Sequence, residues 1–172
     1  MFWIIKIIKK FIKLLHSNVN PTEIAGGFAL GSIIGLTPLF ALHNILIFFL
    51  IIVLNVNIGA AFFGMLIFAI VGACTDPIAH WIGYYLLVTA GSLTPIWSSL
   101  YNMPIVPFTK FNNTVMLGSM VISLVLFVPI LLGFKKFIIF YRKSLQEKVL
   151  KWKVVTIIKS TGIFKLYIRF RE

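Results

Sequence analysis

The sequence predicts an all-α, polytopic helical membrane protein with Pro-interrupted or re-entrant helices and amphipathic terminal segments. Three observations carry this reading. The 172-residue chain is 60% hydrophobic with a mean hydropathy of +1.03, outside the range of soluble domains and short enough for one compact membrane unit. Between Leu15 and Lys110 it carries only two formal charges, Glu23 and Asp76, although the net charge is +12. The lysines and arginines gather at the two ends, as in a chain whose middle lies in lipid and whose ends lie on an anionic membrane surface. These shifts divide the chain into an amphipathic basic segment at 1–19, a membrane domain at 20–134 and a basic cytoplasmic or interfacial tail at 135–172.

In FWIIKIIKKFIKLL, Lys6, Lys9, Lys10 and Lys13 share one helical face while Ile5, Ile8, Phe11, Ile12 and Leu15 line much of the other. The expectation is a helix lying in the headgroup layer, on the cytoplasmic side. Its lysines interrupt the apolar run and no small-residue cleavage site follows, so it does not read as a signal peptide. From Ile24 to Leu54 the chain is apolar for longer than one span and is interrupted by Pro38, so two shorter helical pieces fit better than one. A second apolar run, Ile58 to Cys74, is expected to end at Thr75, Asp76 and Pro77, with a third from Ile78 to Ala90. Gly91 to Asn113 holds Pro95, Pro104 and Pro107 and reads as an interfacial loop. Val115 to Gly133 is the cleanest spanning helix, with Asn112, Asn113 and Thr114 as its cap. The basic residues after Gly133 put the tail inside as well. In that tail Ser144 and Glu147 have capping-box spacing, and FKLYIRFR alternates as a strand or extended segment does.

Gly27, Gly31 and Gly35 repeat every four positions and predict a face for close helix packing, which matters in lipid because hydrophobicity does not pull helices together. Two Pro-centred segments share a composition: Thr37 and Pro38 with His43 and Asn44 beyond, then Thr75, Asp76 and Pro77 with His80 beyond. Each is expected to restart a helix whose free N–H groups could meet an anion, as in transporters with interrupted helices. Asp76 demands most explanation, because a carboxylate inside an apolar run costs about 2.5 to 3.5 kcal/mol on insertion scales. It is expected to cap the helix beginning at Pro77, to carry a proton, or both. His43 and His80 could pair with it or carry charge. Asn20, Pro21 and Glu23 have the spacing of a capped helix start.

No metal site is expected, since Asp76, His80 and His43 lack a ligand spacing, and no cofactor is implied. A single cysteine, Cys74, allows no internal disulfide. Catalysis is not expected: no hydrolase, zinc-protease, Walker or dinucleotide motif occurs. Lipid is the expected partner of the basic ends, anionic headgroups in particular, and nucleic acid is not, because the charges are interleaved with apolar residues at membrane-helix spacing. A homo-oligomer is expected.

The blocks PTEIAGGFALGSIIGLTPLFALHN, NVN, TDPIAHWIGYYLL and FNNTVMLGS resemble stand-alone members of a family of small bacterial membrane proteins classed under a domain of unknown function, number twenty sixty-two. The resemblance covers about Pro21 to Ser119. It implies an inner-membrane protein and supplies no activity. The residues themselves suggest binding or translocation of an anionic lipid or small anion, through a site formed by Thr37, Pro38, His43, Asn44, Thr75, Asp76 and His80. The alternative is a structural or assembly partner for other membrane proteins, with the glycine face and the amphipathic ends as its docking elements.

Overall fold

The computed structural model describes residues 14, 15 and 18–145. The expected helix in the first fifteen residues falls outside them except for Leu14 and Leu15, which are helical. The capping-box helix after Ser144 and the FKLYIRFR segment also lie outside the described residues. Every regular element among those described is helical. They are α1 (Pro21–Leu36), α2 (Leu42–Val53), α3 (Ile58–Tyr84) continued by a π turn (Tyr85–Thr89), a 3-10 turn (Gly91–Leu93), α4 (Thr94–Tyr101), a second 3-10 turn (Val106–Thr109), and α5 (Thr114–Phe140) continued by a π turn (Tyr141–Leu145).

Asparagines start three of these helices. Asn20 Oδ1 accepts the Thr22 N–H at 2.9 Å, Asn57 Oδ1 the Ala60 N–H at 2.8 Å, and Asn113 Oδ1 the Met116 N–H at 3.0 Å. Each bond satisfies one of the orphan donors of a first turn. Pro21 follows Asn20 at the first helical position, where its missing N–H costs nothing. At the other end of α2 the chain turns back through Asn55, whose φ of 51° is a conformation asparagine tolerates better than most residues.

Residues Asn20–Lys135 form one compact unit. Its packing is set by glycine. Gly27 lies against the main chain of Asn57, Gly31 against Ala61, Gly35 against Met65 and Ala69, and Gly72 against Gly35 and Leu36. Positions advance in the same direction on both helices, so α1 and α3 run parallel, and Gly64 reciprocates by receiving Phe28. The pair is also stitched where it begins, by the Asn57 N–H donating to the Glu23 carbonyl at 3.0 Å. On α5 the order reverses: Gly83 meets Thr114 and Gly118 meets Ala79, so α5 runs antiparallel to α3. A Cβ on Gly31, Gly83 or Gly118 would overlap a facing carbonyl. α2 returns beside α1 and adds Ile51 to a core of Leu30, Ile33, Ile34 and Ala61, flanked by Phe127 of α5. The Phe28 ring stacks on Phe134 at 3.8 Å and meets Phe68 edge-on.

The second unit includes residues 14, 15, 18, 19 and 136–145. Here Arg142 Nε donates to the Leu15 carbonyl at 3.0 Å and Nη1 to the Val19 carbonyl at 2.9 Å, so one guanidinium fork closes main-chain carbonyls of the N-terminal segment.

Two helices, Ile58–Thr89 with 32 residues and Thr114–Ser144 with 31, are long and apolar enough to cross a membrane. Three expectations are corrected. Thr75, Asp76 and Pro77 do not end a run or restart a helix, because α3 continues through Pro77 as α5 does through Pro129. Proline removes one main-chain bond, but α3 is clamped on both sides of it, by Gly72 against α1 and by Gly83 against α5. Pro38 is not a first helical residue: α2 begins four residues later, after Ala41. The segment Gly91–Asn113 is not a plain loop, since it contains α4 and two 3-10 turns.

If backbone contact holds the unit together, the smallest added side chain should report it. Gly31→Ala and Gly118→Ala are each expected to destabilise the protein in detergent by about 1 to 3 kcal/mol. Gly133→Ala, where an added Cβ meets nothing within 4 Å, should be neutral or stabilising by up to about 1 kcal/mol. Thermal unfolding of the three variants checks this.

Candidate functional site

At the end of α1 the backbone turns sharply, and the turn is closed by its own side chains. Thr37 and Asn44 are buried, 4% and 2% exposed. The Thr37 hydroxyl lies 2.9 Å from the Ile33 carbonyl and 3.1 Å from Asn44 Oδ1, so its single proton serves these two acceptors. The Asn44 amide donates to the Pro38 carbonyl at 2.9 Å and the Leu39 carbonyl at 3.1 Å. The reverse amide orientation would set its oxygen against both carbonyls. Both N–H groups of Asn44 are therefore spent on the corner itself. Thr37, Pro38 and Asn44, expected to face a substrate, serve instead to satisfy a chain reversal. His43, beside them on α2, has both ring nitrogens shielded and no hydrogen-bond partner among the described residues.

On α3 the second group is dispersed. Thr75 donates to the Gly72 carbonyl at 3.1 Å, within its own helix. Asp76 is exposed on an uninterrupted helix and hydrogen-bonds to no described residue, so it is not an N-cap. His80, one turn further on and also exposed, sits with Nδ1 2.7 Å from Thr114 Oγ1, a bond between α3 and the start of α5. Asp76 and His80 share one helix face at i,i+4 spacing.

Gly72 lies against Gly35 and Leu36, so the Thr37–Pro38 corner and the Thr75–Asp76 turn reach about the same level along the α1–α3 pair. The structure brings these two segments to one height without building a pocket from two helix N-termini, because neither proline begins a helix. Among the described residues no three His, Cys, Asp or Glu side chains gather as a metal site would require. Gly27, Gly31 and Gly35 all pack as expected, against α3.

Two clefts were not legible as sites in the sequence. One, of about 200 Å³, is wholly hydrophobic in character and lies among α1, α2 and α3, with Ile34, Phe48, Ile51, Ile58 and Phe62 on its walls. The other, of about 420 Å³, lies between the π turn after α3, α4 and the approach to α5, and combines Trp97, Tyr101 and Phe111 with Thr94, Ser98, Asn102 and Asn112. The signal available for it was the density of Trp, Tyr, Ser and Asn in that stretch, which also marks any interfacial loop.

Because buried Asn44 donates to two main-chain carbonyls and accepts from Thr37, Asn44→Ala is expected to lower stability by about 1 to 3 kcal/mol, and Asn44→Asp, which opposes a carboxylate to those carbonyls, by more. Chemical denaturation of the purified variants measures both.

Comparison with other proteins adds kinship without an activity. A protein of Treponema pallidum (strain Nichols), described as an uncharacterized protein, is 23% identical over 161 residues, which is 94% of this chain and 99% of the relative. No solved structure matches the chain. The family model described as "Uncharacterized protein conserved in bacteria (DUF2062)" matches residues 6–146, which span both long apolar helices and the glycine-packed unit, and the chain therefore belongs to that family.

Proposed function

We propose that this protein is an integral component of the bacterial inner membrane, with both termini in the cytoplasm, and that it acts as an assembly partner inside the bilayer rather than as a catalyst. α3 and α5 are read as its two complete crossings, and α1 with α2 as a re-entrant hairpin that enters and leaves on the side where α3 begins. The parallel course of α1 and α3 supports this arrangement, since both start beside the Glu23–Asn57 bond. The basic ends are read as holding anionic headgroups at the cytoplasmic face.

One observation carries the assembly reading. Asp76 lies within an apolar helix of 32 residues, exposed and without a hydrogen-bond partner among the described residues. A carboxylate in that setting is costly until another group bonds to it. A second copy of the chain meets the demand, because its α3 offers His80 one turn from its own Asp76. In a two-fold arrangement each Asp76 reaches the other copy's His80, a self-complementary contact. Translocation of an anion is the weaker reading, since it was built on helix N-termini at Pro38 and Pro77, and α2 starts at Leu42 while α3 runs unbroken.

Native mass spectrometry from membranes tests this. Wild type and Asp76→Asn, which keeps hydrogen-bonding capacity, are expected as dimers. Asp76→Leu should weaken association about tenfold or more with its helix content unchanged. A monomeric wild type, or an Asp76→Leu protein that dimerises like the parent, overturns the reading. Reporter fusions at each terminus should both report from the cytoplasm.

A further inference from the structure

The cleft of about 420 Å³ beside α4 has a composition that points to a ligand. Its hydrophobic surface is aromatic and fixed. Phe111 is buried, 8% exposed, with the Trp97 ring 6.0 Å and the Tyr101 ring 6.5 Å away. Trp97 cannot swing freely, because its Nε1–H donates to the Leu86 carbonyl at 2.9 Å. That carbonyl belongs to the π turn Tyr85–Thr89 that ends α3, which also places Leu87 on the cleft wall. With its N–H spent, Trp97 offers the cleft only its ring.

Around this aromatic floor stand five uncharged polar side chains: Thr94, Ser98, Tyr101, Asn102 and Asn112. None of them hydrogen-bonds to another described residue through its side chain. Three hydroxyls and two amides supply donors and acceptors in both senses, and no charged residue among those described lines the cleft. An anion or cation would find no counter-charge here. A flat, uncharged molecule with one apolar face and a rim of hydroxyls would find an aromatic surface for the face and amides for the rim.

We infer that this cleft binds a sugar ring, carried either by a glycolipid headgroup or by a free glycoside. The inference is independent of the assembly reading, since it uses neither Asp76 nor His80.

The test uses the full chain in phosphatidylcholine nanodiscs, with Trp97 as the reporter after Trp3→Phe, Trp81→Phe and Trp152→Phe. Glucosyl diacylglycerol is expected to change Trp97 emission saturably, and phosphatidic acid is not. If water-soluble methyl glucoside gives the same change, the source is a free sugar; if only the lipid does, it is a headgroup. Asn102→Ala with Asn112→Ala, both at exposed positions, should raise the apparent Kd about tenfold or more, and Ser98→Ala should raise it less. Unchanged helix content confirms that the variants are folded. Absence of a response to both sugars, an equal response to phosphatidic acid, or an unaltered Kd in the double variant overturns the proposal.

Discussion

Main-chain contact at glycine is the constraint on which the rest of this structure depends. Under the proposed membrane placement, apolar side chains gain nothing by leaving one apolar surround for another, so helices hold together through close van der Waals approach and the few polar bonds they can share. Gly27, Gly31 and Gly35 on α1, Gly64 and Gly72 on α3, and Gly83 and Gly118 at the α3–α5 crossing let backbones touch directly. That closeness fixes register as well as distance. It makes α1 and α3 parallel, sets α5 against them in the opposite sense, and leaves α2 as a short return strut rather than a fourth equal partner.

The polar residues of the described helices follow a second rule. A main-chain group without a partner is expensive away from water, so caps and corners must be closed from within the chain. Asn20, Asn57 and Asn113 each take one orphan N–H. Thr37 and Asn44 close the corner after α1, and Ser32, Ser119 and Ser123 return their hydroxyl protons to carbonyls of their own helices. Asp76 stands apart from this economy. It is exposed on α3, on one face with His80, and hydrogen-bonds to no described residue.

Glycine clamping also bears on why Pro77 and Pro38 act differently. Pro77 and Pro129 sit inside helices that continue through them, whereas Pro38 lies in a bend. The residue alone does not choose between these outcomes. Around Pro77 the helix is gripped before and after, so losing one main-chain bond costs less than losing two glycine contacts. After Leu36 no such grip continues, and the hydrogen bonds of Asn44 to Pro38 and Leu39 stabilise the reversal instead.

The sequence by itself determined the all-helical class, the near-absence of charge through the middle, the caps at Asn20 and Asn113, and the packing role of Gly27, Gly31 and Gly35. These are local properties: hydropathy, capping chemistry and four-residue spacing read directly along one strand of text. Only the tertiary structure decided that α3 passes unbroken through Pro77, that Asn44 folds back on Pro38 and Leu39, that His80 joins Thr114, and that Trp97, Phe111 and two asparagines meet in one cleft. Each of these depends on which residues distant in the chain come to face one another, and that pairing follows from backbone contacts at glycines whose partners no local pattern names.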